Sequence, residues 1–165
     1  MNRSCEPDLA AEWAASAWRN LELTIPVDLH KVRRHLKLRL RKSDLGYNPG
    51  HLLKTAKCRY AVLNLRDCLE RQRFTLAHEI GEFLLMQHYE RLGRVPPVGE
   101  RAERFCDRFA TMLLMPADLV NDVAAELGHG PRNPKADVLA SRFGVSMQAM
   151  RQRLRELSRH NESRF

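Results

Sequence analysis

The stretch from about Glu70 to Arg91 constrains this chain more than any other, because it reads as one long helix and the rest of the sequence must pack around it. Pro96 and Pro97 break the chain after it. Ahead of it the pattern is different. Leu36-Lys37-Leu38-Arg39-Leu40-Arg41-Lys42 alternates apolar and basic residues with period two, as expected for a strand with one buried and one wet face. The segments from His51 to Lys54 and from Arg59 to Leu65 read as two further strands, with a turn at Gly46, Asn48, Pro49 and Gly50 between the first two. Two helices are expected before the strands, over 8–20 and from Pro26 to about Leu36, the second opened by the proline. Asp67 and Glu70 resemble a box that opens the long helix. Further helices are expected from about Gly99 to Met115, from Pro116 to a stop at Gly128, and over about 135–143 and 147–158, with a polar loop from His129 to Pro134. Helices, a small sheet, then helices again make an α+β chain, not a series of alternating βαβ units.

That long helix also carries the chemistry. A helix advances about 100° per residue, so His78 and Glu82 stand only about 40° apart on successive turns. Two side chains able to ligate a metal therefore address one spot, with Glu79 beside them. This is the logic of the His-Glu-x-x-His motif, in which the glutamate next to the first ligand acts as general base. Position 82 is a glutamate, and a carboxylate is a legitimate zinc ligand. His88 lies about 80° off that face, too far round its own helix to join. His51, on a strand, is an open alternative. A third ligand must come from elsewhere. The helix after Gly99 offers Glu100, Glu103 and Asp107 along one stripe and Arg101, Arg104 and Arg108 along another, a pattern that a solvated face held by i,i+4 ion pairs would show equally.

Longer motifs separate these readings. Arg73-Phe74-Thr75-Leu76-Ala77-His78-Glu79-Ile80-Gly81, then Glu103-Arg104-Phe105-Cys106-Asp107-Arg108-Phe109-Ala110 with Leu113-Leu114-Met115-Pro116, resemble in order the signature segments of the ImmA/IrrE family of metallopeptidases. Pro26-Val27-Asp28-Leu29 fits that family's lead-in helix, and Leu139 to Ser146 with Arg153-Leu154 fits its C-terminal segment. The resemblance spans roughly residues 26 to 157. It implies a gluzincin-like zinc endopeptidase with a zincin-like, mostly helical domain. Carried over by position, the metal ligands are His78, Glu82 and Glu103 and the base is Glu79. It further implies cleavage of a helix-turn-helix repressor of the phage type, which would switch on genes of mobile elements or stress genes.

Two departures from the family pattern bear on activity. Glu82 stands in place of the second histidine, and Asp107, a candidate support for the ligands, in place of an asparagine. Two carboxylates neutralise a divalent zinc, which then acidifies its water less and stabilises an oxyanion less well. Oxygen-rich ligation also suits manganese or iron. The alternative to a zinc enzyme is therefore a weak or inactive member that binds a repressor or DNA.

The remaining features set the surroundings. The chain has 165 residues, 44% apolar and 29% charged, so we expect a core over 1–128 with a helical segment over 129–165 packed on it. Ala140 to Leu157 could form a helix-turn-helix, with Gly144 in the turn, Ser146 as cap, and Arg151, Arg153 and Arg155 facing DNA. Alternatively, the pair packs on the core through Leu139, Phe143, Val145, Met150 and Leu154. The net charge of +8 attracts polyanions. Lys31, Arg33, Arg34, Lys37, Arg39, Arg41 and Lys42 follow one another with no acid between them; we read them as a solvated face, with a docking surface for an acidic partner as the alternative. Cys5, Cys58, Cys68 and Cys106 form no C-x-x-C pair and are expected as free thiols. There is no apolar run of membrane-spanning length and no signal-peptide pattern at the start, so a cytoplasmic location is expected.

Overall fold

The computed structural model describes residues 8–127 and 136–162, the last three as backbone only. Cys5, Gly128 and the 129–134 loop, and with them the boundary expected at 128, lie outside the described residues.

Two short helices lead in. Helix α1 (Leu9–Leu21) starts where the Asp8 carboxylate accepts from Ala11 N, and it ends at Glu22 in the left-handed region. Helix α2 (Leu29–His35) is opened by Asp28, which accepts from His30 N at 2.8 Å and Lys31 N at 3.1 Å. Pro26 thus does not open this helix as expected; it lies before the cap, after a cis peptide bond. An aspartate can satisfy two orphan amides at a helix start, which proline cannot do.

The three strands are β1 (Arg39–Ser43), β2 (Gly50–Lys54) and β3 (Arg59–Asn64). Their order is β1-β3-β2, with β1 parallel and β2 antiparallel to the central β3. Ala61, Val62 and Leu63 are buried accordingly. The turn before β2 is fastened by Asn64, whose Nδ2 donates to Gly46 O at 2.8 Å and Asn48 O at 3.0 Å.

Helix α3 (Leu69–Arg91) follows, and it packs against the sheet and against α4 (Glu100–Leu114). Its cap is Cys68, without a side-chain hydrogen bond; Asp67 pairs with Arg71 at 3.3 Å instead of opening the helix. Helix α5 (Ala117–Glu126) takes Pro116 as its cap residue. The C-terminal pair is α6 (Ala136–Phe143) and α7 (Met147–Glu162), the latter running four residues past the expected end. Gly144, at φ +63°, makes the turn between them, and Ser146 Oγ accepts from Ala149 N.

One apolar core unites these pieces: Phe109 and Leu113 of α4, Ile80 of α3, Leu63 of β3, and Leu139, Phe143 and Met150 of the C-terminal pair are all buried in it. A half-buried arginine ties the pair to the lead-in segment. Arg73 Nε donates to Gly144 O and its Nη2 to Val27 O, both at 2.9 Å. The chain is α+β, and among its described residues no helix is long and apolar enough to cross a membrane.

Candidate metal centre

Helices α3 and α4 lie side by side, and their facing turns bring together residues 29 positions apart. His78 Nδ1 lies 2.9 Å from Asp107 Oδ1, and His78 Nε2 lies 3.4 Å from Glu103 Oε2. The close approach depends on Gly81: a Cβ there would meet the Phe109 ring at 2.9 Å and Cys106 Cα at 3.4 Å. Glycine at this place lets α4 come down onto the turn that carries Glu79 and Glu82. His78, Glu79, Glu82, Glu103 and Asp107 all line one cleft of about 940 Å³. Strand β2 forms one wall through Gly50, His51 and Leu52, and α7 forms the other through Gln148, Gln152 and Glu156. His88 is elsewhere, its ring 5.4 Å from that of Trp13.

The centre is electrostatically tense. Glu79 is only 4% exposed, and its Oε2 has no hydrogen-bond partner. Burial pushes its pKa from the ordinary 4.5 up to about 8, helped by the charge of Glu82, by a hydrogen bond that the protonated Glu79 donates to Glu82, and by the charge of Glu103. Beneath it, burial and then the same carboxylates push the Cys106 thiol up to about 12, so this cysteine is inert at neutral pH. Cys58 and Cys68 are free as well.

The donors present suit a divalent cation. They comprise one imidazole and two carboxylates from facing helices, with a further buried carboxylate oxygen that has no partner. Among the described residues, no group of three or more His, Cys, Asp or Glu side chains stands already arranged to hold a metal ion. The His78 ring thus stands between two carboxylates, Nδ1 toward Asp107 and Nε2 toward Glu103.

The model of the IrrE N-terminal-like domain, peptidase family M78, matches residues 33–155. The chain belongs to this family. Radiation response metalloprotease IrrE of Deinococcus deserti is 35% identical over 109 residues, covering 62% of this chain and 36% of that protein. The chain therefore spans about a third of its relative's length. A solved Mycobacterium tuberculosis transcriptional regulator superposes with a TM-score of 0.64 at 13% identity, over 90% of this chain and 46% of that one, which shows a shared fold.

Within this IrrE-like domain, one arginine of α7 departs from what its residue type suggests. Arg153, expected to face DNA, is 7% exposed, and its Nε donates to Met115 O at 3.0 Å. It spends its guanidinium on a helix-end carbonyl and is out of reach of a phosphate. Arg151 and Arg155 are exposed. Leu139, Phe143, Val145 and Met150 are buried, so the C-terminal pair packs on the core. The contribution of α7 to the cleft was missed at the sequence level; the polar residues Gln148, Gln152 and Glu156, spaced at helical intervals, were the signal.

Proposed function

We propose that this domain is a metal-dependent endopeptidase in which His78, Glu82 and Glu103 hold a divalent cation, zinc or, given two carboxylates, manganese or iron, and in which Glu79 is the general base. The observation that carries this reading is the His78 imidazole set between Asp107 and Glu103 in a cleft that also holds a buried Glu79 carboxylate oxygen without a partner. A bound divalent cation would supply Lewis acidity toward a scissile carbonyl and toward water. The protein's own residues do the rest. Asp107 holds the imidazole in one tautomer and one orientation. Glu79, whose carboxyl burial keeps protonated up to about pH 8 in the metal-free chain, would be returned to its ionised form by a cation's charge and is then suited to take a proton from the attacking water and return it to the leaving amine. The cleft of about 940 Å³ between β2 and α7 would take a segment of substrate chain beside His78.

A helix-turn-helix repressor as substrate rests on the family resemblance, as does derepression of mobile-element or stress genes. Activity in radiation response belongs by name to the Deinococcus relative, and a role of that kind is part of the same proposal. The competing reading is a catalytically weak member that binds its repressor or DNA, and it is favoured by one feature, the glutamate at 82. Elemental analysis and a cleavage assay decide between them. Protein prepared without chelators should carry about one equivalent of metal, and Glu103→Ala should lose it. Wild type should cleave the repressor and Glu79→Gln should not. Equal cleavage by both would end the assignment of the base, and metal-free wild type would end the metal centre.

A further inference from the structure

The sheet has a second face, which meets the cleft only at His51. Residues paired in register share a side of a sheet, and successive residues alternate. The row Leu40, Ala61 and Leu52 therefore lies on the side that packs on α3, where Arg59 also sits over the Phe83 ring. The opposite side carries two rows: Arg39, Tyr60 and Leu53, then Arg41, Val62 and His51. This side is open. Arg39, Arg41 and His51 are exposed, and Leu53 is 37% exposed although it sits beside the central strand. No acid stands in either row. Tyr60 occupies the centre, with the Arg39 guanidinium 5.9 Å from its ring centroid and an Arg39 hydrogen bond to its hydroxyl at 3.3 Å. At the Ser43–Asn64 end of the sheet, Tyr47 stands fully exposed on the turn that Asn64 fastens.

We propose that this sheet face, through Arg39, Arg41 and Tyr60 with Tyr47 at its end, binds single-stranded nucleic acid. The argument is one of chemistry. Cations alone would suit any polyanion, including an acidic protein. Aromatic rings set among cations on an open sheet suit bases that can stack while phosphates meet guanidinium groups. A duplex buries its base faces and cannot use the tyrosines. Arg41 has no ion-pair partner among the described residues, so its charge is available. The long acid-free run over 31–42, which as sequence reads as mere solvation, thus gains a geometry: its last members line one edge of an aromatic platform. Arg39, Arg41, Tyr47 and Tyr60 do not line the metal cleft, which this face meets only at His51.

Fluorescence anisotropy with a labelled 15-mer of deoxythymidine, and the matching uridine 15-mer, on the full chain tests this. Binding should saturate at about 50 mM salt and weaken steeply as salt rises. Tyr60→Leu should weaken it about 5-fold or more and Tyr60→Phe less than about 2-fold, the loss of a stacked base being worth at least ~1 kcal/mol. Arg39→Ala with Arg41→Ala should weaken it further and lower the salt slope by about 1.4, two phosphate contacts on a single strand. Arg19→Ala, which removes a cation from α1, should change affinity less than about 2-fold. Tyr60→Phe keeps the ring and fills the same space, so a folding defect in Tyr60→Leu does not blur the outcome. The proposal is overturned if neither 15-mer binds saturably. It is equally overturned if the Arg39 and Arg41 changes cost no more than Arg19→Ala. Duplex DNA or polyglutamate binding as tightly as the 15-mers, with Tyr60→Leu silent, would also overturn it in favour of a plain electrostatic surface.

Discussion

Removing the charge on Glu79 should make the metal-free protein more stable. In the folded chain its pKa is about 8 against an ordinary 4.5, first because it is buried and then because Glu82 and Glu103 are near. The folded state therefore holds a proton that the unfolded state releases between those two values. The stability this group contributes is fully present below pH 4.5 and is lost as the pH rises through about 8. At pH 7 the penalty relative to a permanently neutral side chain is about 3 kcal/mol, since each unit of separation is worth about 1.4 kcal/mol. Glutamine has the shape of the protonated acid and never ionises. We expect metal-free Glu79→Gln to exceed metal-free wild type by up to about 3 kcal/mol at pH 7, or roughly 6–12 °C in Tm for a domain of this size. The gap should shrink steadily to nothing as the pH is lowered to about 4.5. Urea titrations of both proteins in chelator at several pH values measure it directly. Added zinc should stabilise wild type more than the variant, because a cation gives the buried carboxylate a counter-charge. If the two proteins share one pH profile, or if the variant is the less stable at pH 7, then Glu79 is not a strained buried carboxyl and the electrostatic picture of the centre is wrong.

Two further outcomes follow from the same geometry. Asp107→Ala removes the acceptor at His78 Nδ1, and zinc affinity measured against a competing chelator should fall about 10–100-fold while the fold is retained; unchanged affinity would mean that Asp107 does not orient the ring. Gly50→Ala places a Cβ 2.5 Å from Thr75 Cγ2 and 2.9 Å from the fixed Val62 carbonyl oxygen, beside Glu79 Oε1 at 3.5 Å. It should cost about 1–3 kcal/mol in a urea titration and lower activity with it, whereas a silent change would show that β2 has slack against α3.

What could be read from the residues depended on how local the physics is. Helix α3 was legible because periodicity and the one-turn spacing of His78 and Glu82 are properties of a single helix. Glu103 was not legible from its own stripe, since Glu100, Glu103 and Asp107 on α4 look like any solvated face. Only the longer motifs singled it out, and only the packing of α4 onto Gly81 brings it to 3.4 Å from His78. The strands were found but their order was not. Patterning marks a buried face, yet nothing in β1 says that it joins β3 in parallel while β2 takes the other edge.

The arginines show the same limit from the other side. Residue type places arginine at the surface, and Arg153 was expected there with Arg151 and Arg155. Instead it finds the carbonyl of Met115, 38 residues away, and Arg73 finds those of Val27 and Gly144, 46 and 71 residues away. Met115 ends α4, Gly144 makes the turn between α6 and α7, and Val27 precedes the cap of α2; a guanidinium is the side chain long enough to supply several donors at once. Such pairings are invisible to any local rule because the need belongs to one segment and the remedy to another. They also explain why α7 stands where it does. Arg153 anchors it to the end of α4, so the same contact that withdraws an arginine from solvent sets Gln152 and Glu156 along the wall of the cleft.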